Sequence, residues 1–69
     1  MTSPTFASNL RSARLRLHLS AQAAASLCGV SRATWYGYES GDSTPTLAGL
    51  ADIARKLKTT PARLLKDIT

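Results

Sequence analysis

Apolar residues recur along this chain at helical spacing. Phe6, Leu10, Ala13 and Leu17 draw one stripe, with Arg11, Arg14 and Arg16 on other faces. That pattern predicts an amphipathic first helix. Ser3-Pro4 starts it, with Ser as cap and Pro at the first helical position, where a missing N–H costs nothing. The helix should end near His18, because Ser20 begins a new cap. A second, shorter helix then buries Ala21, Ala24, Ala25 and Cys28. Such small residues let a neighbouring helix approach closely. Gly29 sits where the backbone must turn, a position that often needs positive φ. Val30 points inward, and Ser31 caps a third helix.

On a helical wheel Thr34, Trp35, Tyr38 and Glu39 occupy one half of the third helix. Arg32, Ala33, Tyr36, Gly37 and Ser40 occupy the other. The first half is bulky and largely aromatic, so it is expected in the core. The second carries one long cation, one phenol and two very small residues. A solvated face would carry several long charged side chains, so this face is suited to close contact with a partner. Gly41, Asp42, Ser43, Thr44 and Pro45 form a loop by composition. Thr46 caps a fourth helix with Leu47, Leu50, Ala54 and Leu57 at helical spacing and Ile53 beside them. Thr59-Thr60-Pro61 opens a last short helix carrying Leu64, Leu65 and Ile68. There is no strand-like alternation, internal repeat or low-complexity segment. The prediction is a single all-α domain over residues 1–69, built from five helices and short turns.

The chain has 69 residues and 43% hydrophobic content, which suits a small globular domain and not a disordered one. A domain of this size buries only about 60% of its unfolded surface, so its stability is modest. No apolar run is long enough to span a membrane, and MTSPTF lacks the pattern of a secretory signal. A cytoplasmic location is expected. The single Cys28 can form no internal disulfide and has no metal-spaced partner; His18 has none either. No metal, cofactor or enzymatic activity is expected, since no acid/base or nucleophile–base pair can be assembled. Nine Lys and Arg against four Asp and Glu give a net charge of +5, which favours a polyanionic partner.

The segment AQAAASLCGVSRATWYGYESG carries a resemblance. Its Ala25 and Gly29 are accompanied by apolar Ala24, Cys28, Val30, Trp35 and Tyr38 at fixed intervals, and GVSRATWYGYESG and LAGLADIARKLKTTPARLL follow in order. Each piece alone is weak, but the order and spacing together are specific. From Phe6 to Leu65 the chain resembles the phage repressor and Cro-like helix-turn-helix proteins, the xenobiotic-response-element family.

The resemblance implies a lambda-repressor-like, all-α DNA-binding fold with helices 2 and 3 as the helix-turn-helix. It also implies a transcriptional regulator whose third helix enters the major groove of double-stranded DNA. The base-facing positions carried over are Arg32, Ala33 and Gly37, with Tyr36 beside Arg32. A guanidinium can bond two acceptors of guanine at once. Ser20, Ser31, and Ala21 and Gln22 at the start of helix 2 are the expected phosphate contacts, because helix N-termini favour anions. Ser43 and Thr44 are expected to join them. Arg14 and Glu39 are expected to pair across helices 1 and 3.

The implied mechanism is a repressor that binds a palindromic operator as a homodimer, with half-sites about 34 Å apart. The loop before helix 4 and the stretch Leu65 to Thr69 are the candidate dimer surfaces. The chain departs from the family pattern at Ala21, where relatives carry Gln, and at Ala24, where they carry Leu. Leu27 stands where many carry Lys, and Asp42 lies in a loop that is usually basic. These departures leave open a protein-interaction module on the same fold, such as an antitoxin subunit that binds another protein.

Overall fold

The computed structural model describes residues 6–65. In chain order they form α1 (Phe6–Arg16), α2 (Ala21–Cys28), α3 (Arg32–Ser40), α4 (Leu47–Lys56) and α5 (Pro61–Leu64). The described residues contain no strand. This is the five-helix, all-α architecture expected. Ser3, Pro4, Lys66 and Ile68 lie outside the described residues, as does most of the stretch Leu65 to Thr69.

Hydroxyl side chains start four of the helices. Ser20, Ser31, Thr46 and Thr60 accept hydrogen bonds from the backbone N–H of Ala23, Thr34, Gly49 and Arg63 respectively. Each satisfies a donor that has no partner inside its own helix, which is worth about 1 kcal/mol per cap. Pro61 then occupies the first turn of α5.

Three helices stop in the same way. At the end of α1, His18 N–H donates to Leu15 and Leu19 N–H to Arg14; after α2, Gly29 N–H donates to Ser26 and Val30 N–H to Ala25; after α4, Lys58 N–H donates to Arg55 and Thr59 N–H to Ala54. This paired reach back over the last turn requires one residue in the left-handed region. His18, Gly29 and Lys58 supply it, at φ of 59°, 73° and 58°. Only the middle one is the glycine that this conformation favours.

The core is small and aromatic at its centre. Trp35, Leu10, Leu57 and Leu64 are the largest fully buried side chains, and Phe6, Ala13, Leu50, Ile53 and Ala54 close around them. Ala24 and Ala25 are also buried, and their small size seats α2 directly against α3. Tyr38 lies edge-on to Trp35, with ring centroids 6.4 Å apart. α1 packs on both α3 and α5, while α2 packs on α3 and α4. Thus α1 and α2 grip the third helix from behind and leave its outer face clear.

Three positions differ from the periodic reading. Leu47, placed on the buried stripe of α4, is 81% exposed. It is the first residue of that helix, where the stripe has run past its neighbours. Thr34, placed on the core half of α3, is exposed; its hydroxyl is held instead by the cap residue Ser31. Ala21 is only half-buried.

Not all the positive charge is free. On α4, Asp52 pairs with Arg55 and Lys56. The Arg55 hydrogen bond, followed by that of Lys56, holds the Asp52 carboxyl below its usual range. No described helix is long and apolar enough to cross a membrane.

Candidate nucleic-acid interface

The Ser20 and Ser31 caps fix the geometry of the site, because they set where α2 and α3 begin. Each cap takes up one first-turn donor. The N–H groups of Ala21 and Gln22, and of Arg32 and Ala33, have no intrahelical acceptor and point out of the helix starts. Both starts therefore carry partial positive charge toward solvent, which favours an anion.

The two serines differ in what they have left to offer. Ser20 Oγ accepts from Ala23, and its proton remains available. Ser31 Oγ accepts from Thr34 N–H and also donates to Thr34 Oγ1 at 2.8 Å. Its proton is therefore committed, and the outward-facing donor is the Thr34 hydroxyl. Sequence reading assigned Thr34 to the core and missed it. The Ser-x-x-Thr spacing at the helix start was the available signal.

Arg32 is exposed at the first position of α3, and its Nη1 donates to Oε1 of Gln22 on α2 at 3.2 Å. The two helices of the turn are thus bridged across their outer face. One guanidinium N–H is used, and the others remain for acceptors beyond the protein. Gln22 is one residue past the place where relatives carry Gln. From there it meets Arg32 directly. Ala33 is exposed beside it, and Tyr36 is 52% exposed one turn on.

Gly37 has a different neighbour. Its carbonyl accepts from Ser43 N–H at 3.2 Å and from Ser40 Oγ at 3.1 Å. A Cβ at this position would lie 2.7 Å from Ser43 Oγ. The loop after α3 folds back onto the helix here. Ser43, Thr44 and Asp42 are exposed on that loop. The structure thus brings Arg32, Ala33, Tyr36 and Gln22 together on one face, and it places Gly37 under the loop.

Behind the face, Arg14 reaches from α1 to Glu39 near the end of α3. Its Nε donates to Oε2 at 2.7 Å and its Nη2 to Oε1 at 3.2 Å. Arg14 Nη1 also donates to the Leu19 carbonyl. Trp35 Nε1 donates to the same Glu39 Oε2 at 2.6 Å. Both charged side chains are only 12% exposed. The Arg14–Glu39 pair therefore joins α1, the turn after it, and the buried tryptophan of α3. Cys28, the last residue of α2, is buried; burial pushes its thiol pKa up, with the charge of Lys56 opposing. Among the described residues no three His, Cys, Asp or Glu side chains are grouped to hold a metal ion.

A family model described as a helix-turn-helix domain matches residues 5–65. The chain belongs to this helix-turn-helix family. Solved structures agree with the assignment. The restriction-modification controller protein C.AhdI from Aeromonas hydrophila is 30% identical with a TM-score of 0.81, covering 87% of this chain and 91% of that one. An HTH_3 family transcriptional regulator from Vibrio cholerae is 37% identical with a TM-score of 0.78. That match covers 86% of this chain but 33% of the regulator.

The hydroxypropylphosphonic acid epoxidase from S. wedmorenis is 33% identical with a TM-score of 0.82, over 93% of this chain and 35% of the enzyme. This helix-turn-helix chain thus spans about a third of the length of the regulator and the epoxidase it matches. The P22 c2 repressor, solved with a synthetic operator, shares the fold at 24% identity and a TM-score of 0.82. No curated protein gives a significant match.

Proposed function

We propose that this helix-turn-helix chain is a sequence-specific DNA-binding transcription regulator of the repressor type, with α3 in the major groove. The observation that carries the reading is the first turn of α3. There Arg32 stands exposed, bridged to Gln22, at a helix start with outward N–H groups. Arg32 bonds a guanine edge, Ala33 meets a neighbouring thymine methyl, and Tyr36 flanks them. The helix starts at Ala21 and Gln22, with Ser20 and Thr34, hold the phosphates on either side. Ser31 donates to Thr34 and not to a phosphate. Ser43 and Thr44 lie against the backbone beyond Gly37.

A single copy of this domain contacts too little DNA for high specificity. The active species on this reading is a homodimer on an inverted repeat, and the exposed Leu47 beside the loop before α4 belongs to the candidate dimer surface. Selection of bound sites from random double-stranded DNA tests the whole proposal. The expected result is an inverted repeat with half-site centres about 34 Å apart. Recovery of no preferred sequence overturns it.

The epoxidase match favours a second reading, because there a domain of this fold makes up about a third of an enzyme. On that reading the chain is an interaction module, and exposed Leu27 and acidic Asp42 belong to a protein contact. Salt separates the two. A DNA binder making several phosphate contacts loses affinity steeply as salt rises, whereas an interaction module binds DNA weakly at every salt concentration.

A further inference from the structure

On the flank of α1 facing away from Arg14 runs a groove of about 320 Å³. Asn9, Ser12 and Arg16 line one side of it, at successive turns of α1. Thr59, Arg63 and Leu64, from the α4–α5 corner, line the other. The groove belongs neither to the exposed face of α3 nor to the Arg14–Glu39 contact.

Its chemistry has one sign. Two guanidinium groups flank it, and among the described residues no carboxylate lines it. Arg16 and Arg63 have no acidic partner among the described residues. The described acids lie elsewhere: Glu39 is bound to Arg14 and Asp52 to Arg55 and Lys56, while Asp42 sits on the loop after α3. Arginines without a carboxylate beside a concavity are suited to an oxyanion, which a guanidinium can hold by two parallel hydrogen bonds.

A second observation is independent of charge. Thr59 Oγ1 is buried and has no hydrogen-bond partner among the described residues. Leaving a buried hydroxyl unpaired forfeits the hydrogen bonds it makes with water, so buried polar atoms in native proteins are nearly always satisfied. This hydroxyl belongs to a residue that lines the groove. The left-handed Lys58 before it sets the direction of the chain at that corner. Asn9 Nδ2 donates to the Leu64 carbonyl at 2.9 Å, which ties α1 to α5 along the same groove.

We propose that this groove is a binding site for a small oxyanion, a phosphate or a carboxylate. The anion bridges Arg16 and Arg63, and Thr59 turns its hydroxyl, buried in the free protein, out to it. The volume lies at the lower end of small-molecule sites, which run from roughly 300 to 1,000 Å³. It accommodates a metabolite-sized anion as well as inorganic phosphate.

The test is an amide-resolved NMR titration of the whole chain, without DNA and at constant ionic strength. Inorganic phosphate, succinate and chloride are the three probes. Saturable shifts at Ser12, Thr59 and Arg63 are expected with phosphate or succinate and not with chloride, and which of the two binds more tightly identifies the anion class. Arg16→Gln with Arg63→Gln should weaken that binding by about tenfold or more while leaving the melting temperature nearly unchanged.

Thr59→Val separates binding from structure. It should raise the melting temperature of the free protein by removing an unpaired buried hydroxyl, yet weaken anion binding. Shifts that follow chloride equally, that map to the starts of α2 and α3, or that survive the arginine variants overturn the proposal.

Discussion

Arg14 and Glu39, 25 residues apart in sequence, meet through two hydrogen bonds that use both carboxylate oxygens. The same carboxylate holds the indole N–H of Trp35. A partly buried pair of this kind is weak evidence of net stabilisation, because both charges lose solvent. Its removal from one side is another matter.

Glu39→Ala would strand the Arg14 guanidinium and the Trp35 indole together. Breaking a buried pair from one side costs roughly 3–5 kcal/mol, and residual exposure puts this one near the lower end. For a domain of this size each kcal/mol lowers the melting temperature by about 4–8 °C. A melt without DNA should therefore fall by more than about 10 °C; an unaltered melt would show that the contact holds nothing together.

Arg32→Ala and Gln22→Ala should separate reading from positioning. The first is expected to flatten preference at one base position, at a cost of about 1–3 kcal/mol against the preferred base. The second leaves the guanidinium in place but unbridged, so preference at that same position should weaken while affinity for unrelated DNA stays level. If Gln22→Ala instead lowers affinity for all sequences alike, Gln22 is a phosphate contact and not a support for Arg32.

Asp42→Lys exchanges a repulsive charge for an attractive one on the loop after α3. Binding to every sequence should tighten, and the dependence of log affinity on log salt should steepen by about one unit or more. No change even at low salt would place the loop away from the phosphate backbone.

Lys58→Gly and His18→Gly should stabilise the fold. Both residues occupy the left-handed region that glycine enters without a Cβ penalty. The gain expected is about 0.5–1 kcal/mol each, after the greater freedom glycine gives the unfolded chain is set against it. Chemical denaturation measures this directly, and a lower midpoint for both would mean that their side chains contribute more than the backbone strain costs.

Cys28 should give stability a sign at alkaline pH. Burial raises its thiol pKa above the ordinary value of 9.0. The contribution is complete below that ordinary value and is lost as pH rises through the folded one. Wild type should therefore lose stability between these values faster than Cys28→Ala does, and alkylation of the thiol should be slow until the chain unfolds. Parallel pH curves for the two proteins would remove Cys28 from the account.

Much of the fold was legible in the sequence because its signals are local. Ser20, Ser31, Thr46 and Thr60 each announce a helix start through a side chain that reaches only three residues onward. Gly29 marks its turn for an equally local reason. Leu47 was misplaced because periodicity gives the direction of a side chain but not whether a neighbour stands opposite. Thr34 was misplaced because a cap outcompeted the wheel. The Gln22–Arg32 bridge, the unpaired Thr59 hydroxyl and the left-handed His18 and Lys58 depend on how separate turns are placed in space, which no spacing rule encodes. Arg14 and Glu39 could be paired from the resemblance alone, not from any pattern within this chain.

The loop that folds onto Gly37 divides the third helix into two parts with different tolerance for change. Toward the C-terminal end, any new side chain at Gly37 must displace Ser43, and Glu39 is tied into the core. Toward the N-terminal end, Arg32, Ala33 and Tyr36 face outward and can be exchanged with little effect on folding. On the proposed DNA-reading role of α3, a change of sequence preference would have to pass through that one outward turn. The helix behaves as a fixed shank with a replaceable tip, and variation in a set of close homologues should concentrate at those three positions.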